Sequence, residues 1–117
     1  MKKVLILEDS EERIVGFKKN ILGAKLYIVK TPDEAIELLK THTFEAVFLD
    51  HDLGGNVNVP SDENSGYKVA EWLKYNVDKQ PKYVILHSLN PSGVKNMKLA
   101  LPKAIIMPFV WDKLLQI

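Results

Sequence analysis

The sequence predicts an α/β fold built as a doubly wound, five-stranded parallel sheet, and three observations carry that expectation. Five short apolar runs alternate with amphipathic segments of helical period. The runs are Val, Ile, Leu and Phe without polar alternation, as strands covered on both faces must be. With 117 residues, 46% of them hydrophobic, one domain spanning residues 1–117 is expected to form its core without a disulfide or a structural metal.

The expected strands are residues 3–8, 25–29, 44–50, 83–87 and 104–107. Between the first two, Asp9 or Ser10 caps a helix carrying Ile14, Phe17, Ile21 and Leu22, which stops at Gly23. Thr31-Pro32-Asp33-Glu34 is a capping box with proline at the first helical position, and Ala35, Ile36, Leu38 and Leu39 follow on one face. Asn64 or Ser65 opens a third helix whose apolar face is Val69, Trp72, Leu73 and Val77. Asn90-Pro91 opens a fourth, with Val94, Met97 and Leu101. A short last helix after Pro108 carries Trp111, Leu114 and Leu115. Trp72, Met97 and Phe109 read as core and His42 as a solvent-exposed helix-end residue. The one long loop, residues 54–63, is a candidate functional segment.

Composition narrows the function. The absence of cysteine excludes thiol catalysis, Cys-based zinc sites and a disulfide framework. The apolar runs are too short for a membrane span or a signal-peptide core, so the expectation is a soluble, cytoplasmic protein with no membrane partner. Sixteen basic residues, of which Arg13 is the single arginine, are scattered against fifteen acidic ones, leaving a net charge of +1. That distribution lacks the basic stripe that duplex DNA needs, although a phosphate-bearing small molecule or an RNA end held in a pocket needs no stripe.

Five β-α units suggest the flavodoxin-like strand order 2-1-3-4-5, in which ligands bind at the carboxyl ends of strands 1 and 3, where the winding reverses. Glu8 and Asp9 end the first strand and Asp50 ends the third. Three carboxylates in one crevice repel unless a cation joins them, and an all-oxygen set suits Mg²⁺ or Mn²⁺. The bland alternative makes Asp9 an N-cap and leaves the other acids solvated. His51 follows Asp50, and His87 ends the fourth strand ahead of Ser88, Asn90 and Gly93, where a helix N-terminus offers backbone N–H groups to an anion. Two histidines at adjacent strand tips are candidates for general acid and base. No glycine-rich phosphate loop and no nucleophile elbow is present.

Over nearly its full length the chain resembles a response-regulator receiver domain: Glu8-Asp9 after strand 1, Asp50 after strand 3, Gly66 at the third helix, Ser88 after strand 4 and Pro108-Phe109 after strand 5. The resemblance implies that Glu8, Asp9, Asp50 and the backbone carbonyl of Asp52 hold Mg²⁺, that Asp50 is the phosphoacceptor position and that Ser88 contacts the phosphoryl group. Two departures weaken phosphorelay signalling. Receivers carry a lysine before the Pro-Phe pair, where this chain has Met107, and the aromatic switch position is Ala104. The strings Leu49-Asp50-His51-Asp52-Leu53-Gly54, Glu63-Asn64-Ser65-Gly66-Tyr67 and His87-Ser88-Leu89-Asn90-Pro91-Ser92-Gly93 are more similar to the cyclic-phosphate-processing receiver subfamily. That similarity implies handling of cyclic phosphate ends of nucleotides or RNA by a metal-dependent phosphoesterase. The alternatives are a receiver phosphorylated on Asp50 and a pseudo-receiver that binds a protein partner through the face of the fourth helix and fifth strand.

Overall fold

Uninterrupted apolar character along the first, third and fourth runs makes them interior strands, and the register of their pairing places the site. The computed structural model describes residues 1–117. Strand β1 (Lys2–Leu7) is followed by helix α1 (Glu11–Asn20), β2 (Ile21–Leu22), β3 (Ala24–Val29), α2 (Pro32–Thr41) and β4 (Ala46–Leu49). Then come α3 (Tyr67–Tyr75), β5 (Tyr83–Leu86), α4 (Pro91–Ala100), β6 (Ile105–Ile106) and β7 (Leu115–Gln116), with 3-10 turns at Val77–Lys79 and Val110–Asp112. The main sheet is β3-β1-β4-β5-β6, parallel throughout. Its strands, taken in chain order, realise the expected 2-1-3-4-5 arrangement.

Two apolar layers sandwich the sheet, as a doubly wound fold requires. Side chains alternate across a strand, so Val4 and Ile6, Ala46 and Phe48, and Ile85 face the same side, where Phe17 of α1 and Val110 cover them. The residues between them, Leu5 and Leu7, Val47 and Leu49, and Leu86, face the larger cluster formed with α2, α3 and α4.

Helix starts at Ser10, Thr31 and Asn90 are capped by side chains that accept from Arg13 N, Glu34 N and Gly93 N respectively. Several expectations need correction. The first helix ends at Asn20 and not at Gly23, and Ile21 and Leu22, expected on its apolar face, form β2, with Leu22 exposed, because they pair with the C-terminal segment. The third helix starts at Tyr67 and not at Asn64, because Asp62 and Ser65 spend their oxygens closing a turn: Asn64 N donates to Asp62 Oδ1, and Tyr67 N donates to Ser65 Oγ. It also ends at Tyr75, leaving Val77 exposed. The expected last helix is replaced by a 3-10 turn and by β7, which pairs in parallel with β2 in a separate two-stranded sheet. A segment that short gains more from backbone pairing with β2 than from an unnucleated helix. Phe109, expected in the core, is 51% exposed and has a left-handed backbone at φ 59°. His42 is half-buried at the end of α2, with its Nδ1 3.3 Å from Lys3 Nζ. No helix is long and apolar enough to cross a membrane.

Candidate functional site

Leu7, Leu49 and Leu86 stand level across β1, β4 and β5. The next residues, Glu8, Asp50 and His87, therefore leave the sheet together and continue the face that carries Ile6, Phe48 and Ile85. Each offers a donor atom, and these atoms lie within 4.8 Å of one another. All three residues are buried.

Glu8 folds back on its own chain. Its Oε2 accepts from the backbone N–H of Asp9 at 3.0 Å and of Ser10 at 3.1 Å, and its Oε1 accepts from His87 Nε2 at 3.1 Å. Burial alone would raise this carboxyl, but the His87 bond, the Ser10 N–H and the Arg13 charge outweigh it and hold Glu8 below its ordinary value. His87 is pushed down by complete burial, which opposes the pull of Glu8, so its ring is neutral and donates from Nε2. Its Nδ1 is buried without a partner. The ring is clamped edge-on by Phe17 at 5.1 Å and Trp111 at 6.1 Å between centroids.

Asp50 has one oxygen satisfied, Oδ1, by the N–H of His51 at 2.8 Å. Burial and the neighbouring Glu8 charge push it up to about 8, against the pull of Arg13 and of the His51 N–H. A carboxyl held that far from its ordinary range in a crevice marks a site where a further cation would be welcome. The local cation is Arg13, the one residue here to which sequence reasoning assigned no role. Its Nη1 lies 3.7 Å from both Glu8 Oε1 and Asp50 Oδ2.

The crevice above these groups is a cavity of about 350 Å³, lined by Asp9, Ser10, Arg13, Asp50, Asp52 and Ser88 together with residues 55–58 of the long loop and Leu89. Asp9 faces it from the rim and is tied to the loop through Gly55 N, which donates to Asp9 Oδ2 at 3.0 Å. Ser88 accepts from Asn90 N at 3.1 Å, which leaves its own hydroxyl hydrogen to donate.

His51 takes the opposite direction, since it follows Asp50 by one residue and the alternation sends it to the other layer. Its Nδ1 is 2.9 Å from Asp52 Oδ1 and its Nε2 2.7 Å from Ser61 Oγ. The ring lies so close to α4 that a Cβ on Gly93 would sit 2.3 Å from its Cγ. Both histidines are fully buried, and the expected side-by-side pair facing one pocket is not formed: His87 joins Glu8 and Asp50, whereas His51 anchors the loop. Asp52 is held low despite burial by Asn90 Nδ2, by His51 and by the Asn58 N–H.

Asn90 and Gly93, expected to cradle an anion, are spent internally. Asn90 Oδ1 accepts from Gly93 N at 3.1 Å, and its Nδ2 donates to Asp52 Oδ1 at 2.9 Å and to Val59 O at 3.2 Å. Gly66 is required by contact, because a Cβ there would lie 1.7 Å from the carbonyl oxygen of Asp50.

The donor set fits a hard divalent cation. Asp50 and Glu8 offer carboxylate oxygens within 4.8 Å of one another, and Asp9 lines the cavity above them. Asp52 also lines that cavity, but its carboxylate is committed to the loop.

Residues 3–103 match the family described as the cyclic-phosphate processing receiver domain. A search of curated proteins finds no match. Among solved structures, the response regulator TrrA of Thermotoga maritima, in complex with Mg²⁺ and BeF, superposes with a TM-score of 0.69 at 19% identity, covering 96% of this chain and 91% of that one. The Mn²⁺-bound response regulator Rcp1 gives 0.70 at 17% identity, over 92% and 81% of the two chains. The chemotaxis protein CheY4 of Vibrio cholerae gives 0.68 at 13% identity, over 93% and 87%. At these identities the likeness establishes the fold.

Proposed function

Because the chain belongs to the cyclic-phosphate processing receiver family, we propose that its crevice opens a cyclic phosphodiester at the end of a nucleotide or an RNA, with Mg²⁺ or Mn²⁺ as cofactor. The convergence of Glu8, Asp50 and His87 beneath a cavity that also exposes Asp9 and Ser88 is the observation that carries this reading. Glu8, Asp9 and Asp50 would hold the ion, with the Asp52 carbonyl as a further ligand. The fold neighbours TrrA and Rcp1, which hold Mg²⁺ and Mn²⁺, support the choice of ion. A bound divalent cation would neutralise phosphate charge and act as a Lewis acid on the phosphoryl oxygens.

The remaining roles fall to the chain's own groups. Ser88 donates its hydroxyl to a phosphoryl oxygen from the cavity wall. His87 is the proton-exchanging group by way of Glu8: its Nε2–H donates to Glu8 Oε1, and Glu8 neighbours Asp50, which lines the cavity. His51 is a positioning residue, holding Asp52 and Ser61 and through them the loop that forms one wall. Opening the ring breaks one ring P–O bond as water oxygen bonds to phosphorus, and the water proton and the leaving-oxygen proton balance.

The test is turnover of a 2′,3′-cyclic nucleotide and of an RNA with a 2′,3′-cyclic phosphate end, with Mg²⁺ or Mn²⁺ and with EDTA. Metal-dependent conversion to a monoester, lost in Asp50→Ala, is the expected result. Labelling of Asp50 by acetyl phosphate without any diester turnover would replace this reading with that of a phosphorylated receiver.

A further inference from the structure

We infer that Arg13 is the phosphate-binding cation of this crevice, filling the role left open by the apolar Met107, and that it rests on the carboxylates until a divalent cation takes them over. The inference builds on the metal-site reading above and adds a ligand-binding residue to it.

Three observations carry it. Arg13 is the only cationic side chain lining the cavity. Met107, the position where receivers carry their lysine, is half-buried among apolar residues of the α1 layer and supplies no charge. The guanidinium is also underused where it stands. Both of its carboxylate contacts are 3.7 Å, ion pairs too long to be hydrogen bonds, so its fork of N–H donors remains available. A guanidinium fork matches the oxygens of a phosphate, which a methionine cannot do and a lysine does only as a point charge.

The side chain is braced for that task. Its Cζ lies 4.5 Å from the centroid of the Trp111 ring, a cation-π contact. Trp111 is in turn fixed to α1: Asn20 Nδ2 donates to its carbonyl at 2.8 Å, and a Cβ on Gly16 would lie 2.8 Å from that same oxygen. The C-terminal segment therefore holds the ring that orients the arginine of the first helical turn. A divalent cation between Glu8 and Asp50 would repel the guanidinium. Its side chain is 30% exposed, so it can move off the carboxylates into the cavity, where a phosphate beside Ser88 would receive it.

The experiment compares wild type, Arg13→Gln and Arg13→Lys by titration calorimetry and by Trp fluorescence, using Mg²⁺ alone and then inorganic phosphate in Mg²⁺, after thermal melts have shown that each variant folds. Arg13→Gln should bind Mg²⁺ at least as tightly as wild type, because a competing cation is gone, yet bind phosphate about tenfold or more weakly. Arg13→Lys should fall between the two. In wild type, Mg²⁺ should change the Trp emission as the guanidinium shifts over the Trp111 ring, and Arg13→Gln should lack that change. Phosphate affinity equal in wild type and Arg13→Gln, or no phosphate binding by wild type, overturns the assignment. A wild type that binds phosphate through Arg13 but ignores Mg²⁺ overturns the metal reading and the displacement of Arg13 by the ion, and leaves only its phosphate contact standing.

Discussion

Replacing Asp50 by Asn separates the cost of the acidic crevice from its benefit. The carboxyl titrates at about 8 in the folded protein, raised first by burial and then by Glu8, against 3.8 for an ordinary aspartate. The folded state thus holds a proton that the unfolded chain has released. Its contribution to stability is fully present below about pH 4 and is lost as the pH rises through 8, with a slope of about 1.4 kcal/mol per pH unit. Between pH 6 and pH 8 the metal-free protein should lose about 2 kcal/mol on this account, allowing for the flattening of the titration near 8. Asn keeps the shape and cannot ionise, so Asp50→Asn in EDTA should gain about that much on wild type over the same interval. Saturating Mg²⁺ should displace the proton and stabilise wild type by about 3 kcal/mol at a hundredfold excess over its dissociation constant, and leave Asp50→Asn unmoved. Urea unfolding at pH 6, 7 and 8, with EDTA or Mg²⁺, reads both effects. Parallel pH profiles for the two proteins in EDTA, or equal Mg²⁺ stabilisation, would refute the reasoning.

Other substitutions address the neighbouring groups. His87 is held below its ordinary value by burial, so its share of stability is present above about pH 6.5 and is lost as the pH falls through its lowered folded value. His87→Gln can still donate to Glu8 and should flatten that acid limb in urea unfolding while cutting diester turnover by about 10²- to 10⁴-fold. Gly93→Ala drives a methyl into the His51 ring and should cost about 1–3 kcal/mol in thermal or urea unfolding. Met107→Lys restores the missing charge: acetyl phosphate labelling of Asp50 should stay negligible and diester turnover should not improve, whereas strong new labelling would favour a phosphorelay role.

What was legible in the sequence followed from local chemistry. Continuous apolar runs identified β1, β4 and β5, and the side-chain caps Thr31 and Asn90 marked their helices because those signals need only adjacent residues. The C-terminal segment was not legible, since β7 exists only through its pairing with β2. Nor was Arg13, which reads as one more charge on a solvated helix until the fold brings Trp111 over it. The direction of His51 is legible in strand alternation alone, which sets Glu8, Asp50 and His87 on one face and turns His51 to the other.

Whether one divalent cation joins the carboxylates at the ends of β1 and β4 is decided by the anomalous scattering of crystals grown with Mn²⁺. A single strong peak is expected between Asp50 and the Glu8-Asp9 pair, about 2.1 Å from carboxylate oxygens, with the Arg13 guanidinium withdrawn from both. A crevice without a peak at saturating Mn²⁺, with Arg13 still paired with Glu8 and Asp50, would rule the shared ion out.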